Sequence, residues 1–164
     1  MDKPDDNVFQ KAIDNINSII DAFSESEVGI YNHIDTSHEN YLLAFDIAKT
    51  EYENIRNDPE DIEKISQHSQ KELCVIERIK NHIFYSKHDI IYQDGTRLYK
   101  RLDEDPEIVN SWVRLRENKH VKSDYDFLNH EERESELVTL EKMNYNDAHN
   151  KTISEGLIWN PEGE

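Results

Sequence analysis

The chain has 164 residues, of which 35% are hydrophobic and 34% charged, and a formal net charge of −17. That length fits one domain, or a small domain with a helical extension. The charge repels nucleic acid and anionic membrane at long range, a single cysteine excludes an intramolecular disulfide framework, and no run approaches the roughly 18 to 20 apolar residues of a membrane span.

Taken in order, Val8, Ile13, Ile16, Ile19, Ile20 and Phe23 recur at three- and four-residue spacing and predict a first amphipathic helix to about Ser26, ended by Gly29. The segment from Met1 to Asp6 lacks the apolar centre of a signal peptide, so a soluble protein is expected. Thr36 with Glu39 reads as a capping box for a second helix striped by Tyr41, Leu42, Phe45, Ala48, Tyr52 and Ile55. Asp58-Pro59 predicts the start of a third, carrying Ile62, Ile65, Leu73, Ile76 and Ile79, with Cys74 expected as a buried small hydrophobe. His33, His38 and His68 are expected to face solvent. Residues 1–80 therefore read as a helical spacer or bundle without evident chemistry.

Residues 81–164 have a different texture. Ile90-Ile91-Tyr92 and Thr96-Arg97-Leu98-Tyr99 flank Gln93-Asp94-Gly95, a hairpin signal near residues 90–100. Asp105-Pro106 predicts a capped helix over 106–117, and Ser123 with Asp126 a weaker cap for the next, whose apolar face takes Phe127, Leu128, Leu137 and Leu140. The chain turns near Met143-Asn144, and a last helix from Tyr145 to Glu155 stops at Gly156, followed by Trp159 as a docked aromatic. The fold class expected is mostly α, bundle-like, with one short β-hairpin.

The chemistry-bearing residues lie in this second part. His130 and Glu134 are four apart on one helix, so they share a face and can share a proton or a metal ion. Phe127 and Leu137 put that face on or beside the buried stripe, where an imidazole and a carboxylate are costly unless paired or metal-bound. The turn near Met143 should return His149 to within one helical turn of Glu134, making His130, Glu134 and His149 a candidate set of divalent-metal ligands. His120 and Asp124, at the start of the same helix, form a candidate orienting or acid/base pair. Glu131, Glu132 and Glu136 read as a solvated acidic face. The second histidine of a zinc-protease helix is missing after His130-Glu131, since Glu132-Arg133-Glu134 follows.

Four segments occur in order: Ile79 to Tyr85 with His88; Arg101 to Ile108 with Trp112 to Leu115; His120 with Asp124; and His130-Glu131 with Glu134 followed by Tyr145 to His149. Together they resemble a C-terminal module of bacterial polymorphic toxins of the LXG and RHS-repeat kinds, also found in phage head proteins. The resemblance spans about residues 79 to 155. It implies an effector domain acting in the bacterial cytoplasm, alone or secreted as part of a larger effector. Such a toxin is commonly a nuclease and is held in check by a cognate immunity protein. Under that reading Arg114 would stabilise a phosphate, and the site would cleave phosphodiester bonds. The acidity supports an alternative, a non-catalytic binding protein such as an immunity-type or phage-encoded inhibitor that occupies a basic site. A structural phage component is a third.

Overall fold

A computed structural model describes residues 33–162; the helix expected at Val8 to Ser26 lies outside them. Among the described residues there are six α-helices and one two-stranded antiparallel sheet, the mostly α fold with a single hairpin that the patterning predicts.

Helix α1 spans Tyr41–Asn57 and buries Ala44, Ala48, Tyr52 and Ile55, the i, i+4, i+8, i+11 face. Its start differs from the expected Thr36 box. A short 3-10 turn, His38–Asn40, precedes it, and Asp35 accepts from the Ser37 N–H at 2.9 Å and the Asn40 side chain at 2.8 Å. Leu42, expected on the stripe, is exposed.

The third expected helix is two helices, α2 at Asp61–Ser69 and α3 at Leu73–Lys80, split by Gln70 in the left-handed conformation. The Asp58 carboxylate does cap a turn, accepting from the Glu60 N–H, but regular helix begins at Asp61. Cys74 is exposed rather than buried, because it falls on the outer face of the short α3 beside the exposed Leu73. His68 is half-buried, with Nδ1 2.9 Å from the Leu115 carbonyl, whereas His33 and His38 are exposed as expected.

Helix α3 runs directly into a π-helical turn, Asn81–Tyr85, closed by a bond from the Ser86 N–H to the Asn81 carbonyl at 2.8 Å. The wider turn lets three consecutive residues, His82, Ile83 and Phe84, all point inward. Strands β1 (Lys87–Ile91) and β2 (Arg97–Arg101) then pair from Lys87 opposite Arg101 to Ile91 opposite Arg97, turning at Gly95 with φ +85°.

Helix α4 (Pro106–Arg116) starts as expected, with Asp105 accepting from the Glu107 N–H at 2.8 Å. Helix α5 (Lys122–Thr139) is anchored differently: Asp124, not Asp126, reaches back to the Val121 N–H at 2.9 Å. Helix α6 (Tyr145–Ser154) is capped by the Asn144 carbonyl oxygen of its side chain on the Asp147 N–H and ends before Gly156 at φ +87°. Trp159 lies with its ring 5.0 Å from Phe127, the docked aromatic expected.

One hydrophobic cluster takes residues from both sides of position 80, among them Ile34, Tyr52, Ile79, Phe84, Trp112 and Phe127. Phe84 stands edge-on to both Tyr52 and Trp112 at 4.8 and 5.2 Å. No helix of the described residues is long and apolar enough to cross a membrane.

Candidate functional site

Four elements bring ionisable side chains to one place. Helix α5 supplies His130, Glu131 and Glu134 from its inner face, α6 supplies His149, the π turn supplies His82, and β1 supplies His88. Contacts between α5 and α6 run in opposite order along the two helices, His130 meeting Leu157 while Glu134 meets His149, so the pair is antiparallel. The Asn146 side chain fixes α6 to β1 by accepting from the Ile91 N–H at 2.9 Å and donating to its carbonyl at 3.0 Å.

Glu134 is the centre. Its Oε2 lies 2.7 Å from His149 Nδ1 and 3.2 Å from His130 Nε2, and its Oε1 lies 2.8 Å from His82 Nε2. Three imidazoles thus converge on one carboxylate whose side chain is buried. His130 Nδ1 lies 2.7 Å from the Leu157 carbonyl, and His88 Nε2 2.8 Å from the carbonyl of His82, which steadies the π turn. His88 also stacks edge-on against His82 at 4.6 Å, and Tyr145 lies near both and alongside His149.

The electrostatics follow from this packing. Burial opposes charge on Glu134, but hydrogen bonds from His130, His149 and His82 outweigh it and hold the carboxyl far below its ordinary range. Burial likewise opposes charge on His130, yet the Glu134 bond, the Glu131 charge and the Leu157 carbonyl push it up to about 9. Burial and the neighbouring Glu134 push the Glu131 carboxyl well up. Burial pulls His88 down, and burial with the same carboxylates pushes the Tyr145 hydroxyl up.

His130 faces an acceptor on each side, a carbonyl at Nδ1 and a carboxylate at Nε2. A neutral imidazole has one N–H only. The ring is satisfied either as imidazolium or with a metal ion on Nε2 in place of the second proton. The geometry permits the second: the ligand atoms of His130, Glu134 and His149 all lie within 4.8 Å of one another. With metal–ligand distances of about 2.0 to 2.2 Å, neighbouring ligand atoms stand roughly 3 to 3.5 Å apart; the 3.2 Å between His130 and Glu134 falls in that range, whereas the 2.7 Å between His149 and Glu134 is a direct hydrogen bond that must open to admit an ion. The Leu157 carbonyl would then orient the ligating ring from behind. These His and Glu groups can therefore hold a metal ion.

The structure brings together His130, Glu134 and His149, the set expected from spacing. It takes the other three elsewhere. Arg114 makes a two-pronged ion pair with Asp124 at 2.6 and 2.8 Å, and His120 Nε2 meets the Tyr125 hydroxyl at 2.9 Å. His120 and Asp124 are therefore not bonded to each other, and the Arg114 guanidinium is engaged by a buried carboxylate instead of being open to a phosphate. Glu131, expected on a solvated face, is buried beside Glu134, because α5 turns positions 130, 131 and 134 toward the π turn. His82, His88 and Tyr145 were missed as site residues. Their only sequence signal was membership of the segments that carry the toxin-module resemblance. No protein-family model, curated protein or solved structure matches this chain.

Proposed function

We propose that this chain is a toxin-like effector hydrolase that cleaves phosphodiester bonds at a divalent metal ion held by His130, Glu134 and His149. The observation that carries the reading is the convergence of two imidazoles and one buried carboxylate, with His130 fixed from behind by Leu157. Two histidines and a glutamate form a ligand set that catalytic zinc sites use, with a coordination position left for water. A metal there lowers the pKa of bound water toward neutrality and offsets charge on a phosphate. The chain's own residues bind and orient: Glu134 contributes the negative charge, Leu157 holds the His130 ring, and His149, with a side chain 41% exposed, borders the open side.

The substrate class rests on the resemblance of residues 79 to 155 to the toxin module; a separate cleft of about 510 Å³ beside the hairpin is lined by Arg56, Lys87, Lys100 and Arg101, of which Arg56 is paired with Glu53 and Lys100 with Asp103. Lys87 stands directly opposite Arg101 across the hairpin, a like-charge pairing that is unfavourable unless an anion lies between. Lys87 also precedes His88 in the chain. A cognate immunity protein is the partner this reading calls for.

The test is nuclease activity of the purified chain on RNA and single-stranded DNA, with and without chelator, beside folded His130→Ala and Glu134→Ala variants. Growth arrest on induction is scored in parallel. Activity that needs metal and is lost in both variants is expected; equal inactivity of all three at matched expression overturns the reading. The acidity favours one other reading, a non-catalytic inhibitor of a basic protein, under which surface charge reversal abolishes function and His130→Ala does not.

A further inference from the structure

The ligand set proposed above leaves two buried polar side chains of the cluster, His82 and Glu131, outside it. Both are more than nine-tenths buried; His82 turns Nε2 toward Glu134, and Glu131 Oε2 has no hydrogen-bond partner. A buried polar atom without a partner is rare in a folded protein. Glu131 also lies beside Glu134, a second carboxyl group in the same buried pocket.

We propose that the cluster is a two-ion centre in which Glu134 bridges, its Oε2 serving an ion shared with His130 and His149 and its Oε1 serving a second ion held by His82 and Glu131. This deepens the function proposed above and rests on the first site taking a metal.

The two oxygens of Glu134 face different partners, Oε2 toward His130 and His149, Oε1 toward His82. Ligand atoms of His82, Glu131 and Glu134 form a second compact triad within 4.8 Å, buried at all three corners. A cation there gives the unpartnered Glu131 oxygen a ligand role. The π turn supplies the geometry: it turns His82 inward in succession with Ile83 and Phe84, and such turns are frequent at functional sites. His88, bonded to the His82 carbonyl, holds that turn in place. A carboxylate bridge sets two ions roughly 3.5 to 4 Å apart, the spacing at which a pair clamps the attacking and leaving oxygens of an in-line displacement at phosphorus. A second ion at that spacing is compatible with the phosphoester substrate proposed above.

The experiment uses the full chain, stripped with chelator, reloaded separately with Zn²⁺ and Mn²⁺, and assayed for bound metal per chain. Expected are two ions in the wild type, one in Glu131→Gln and in His82→Gln, and neither site filled in Glu134→Gln. The spectrum of the Mn²⁺-loaded wild type should carry the spin coupling of a close pair. One ion in the wild type, unaltered by Glu131→Gln and His82→Gln, overturns the two-ion centre and leaves the first site standing. No bound ion overturns both. Two ions retained in both variants put the second ion elsewhere and overturn the assignment. Where a variant fails to fold by circular dichroism, the wild-type spectrum decides: an uncoupled Mn²⁺ signal overturns the proposal.

Discussion

His130 and Glu134 stand one helical turn apart on α5 with Nε2 3.2 Å from Oε2, and the opposite nitrogen of the same ring faces the Leu157 carbonyl. Both edges of the imidazole therefore face acceptors, and its protonation is tied to the folded state.

The metal-free protein should lose stability as pH rises. The folded pKa of His130 is raised from 6.5 to about 9, so its contribution is fully present below 6.5 and disappears as pH climbs through 9. At about 1.36 kcal/mol per unit, a shift of roughly 2.5 units bounds the loss at about 3 to 4 kcal/mol. Glu131, also pushed up, acts in the same direction. Urea unfolding in chelator at pH 6 to 9.5 measures this, and a flat profile across that window would contradict the arrangement.

Arg114→Ala should weaken the fold and spare the His–Glu cluster. Asp124 is fully buried and keeps only the Val121 N–H once the guanidinium is gone. Removing one partner of such a pair costs about 3 kcal/mol or more. Thermal unfolding with a parallel metal count tests it. A stable variant with lost activity would instead put Arg114 on the substrate.

Lys80→Met should be comparably severe. Lys80 Nζ lies 2.6 Å from Asp61 and 2.9 Å from the Asp58 carbonyl, both inside the protein, and Asp61 also accepts from Trp112 Nε1 at 2.9 Å. An uncompensated Asp61 costs about 3 to 5 kcal/mol. A loss under about 1 kcal/mol in denaturant titration, within the range of an exposed pair, would show that the pair contributes little.

Gly95→Ala and Gly156→Ala should be equally strained and differ in consequence. Each glycine has a left-handed φ, +85° and +87°, with open space where a Cβ would go, so each substitution costs about 1 to 2 kcal/mol of backbone strain. Gly156 immediately precedes Leu157, whose carbonyl meets His130. Metal affinity should fall for Gly156→Ala alone, as read by titration calorimetry; equal affinities would mean that the Leu157 contact does not position the ring.

Legibility in the sequence tracked how local each signal was. The hairpin at Asp94-Gly95, the Asp105-Pro106 cap and the stop at Gly156 are written in adjacent residues and occur where the sequence predicts them. His130, Glu134 and His149 were legible because helix spacing and one short turn suffice to bring them together. Gln70 was not, since neither glycine nor proline marks the break between α2 and α3. His82 was hidden because burial of three successive residues fits neither the helical nor the strand period. Glu131 was hidden by its neighbours: in a run of five ionisable side chains, only the packing of α5 against the π turn tells the inward carboxylates from the outward one. Arg114 and Asp124 read as chemistry because nothing in the sequence revealed that they satisfy each other.

The reliance of His130 on the Leu157 carbonyl also orders events in time. His82 leaves the ribosome early, but the last contact of the cluster is with a residue made long afterwards. At about 5 to 20 residues per second, the roughly 75 positions between them take on the order of 4 to 15 s to translate. Until Leu157 is made, the nascent chain lacks the contact that orients His130.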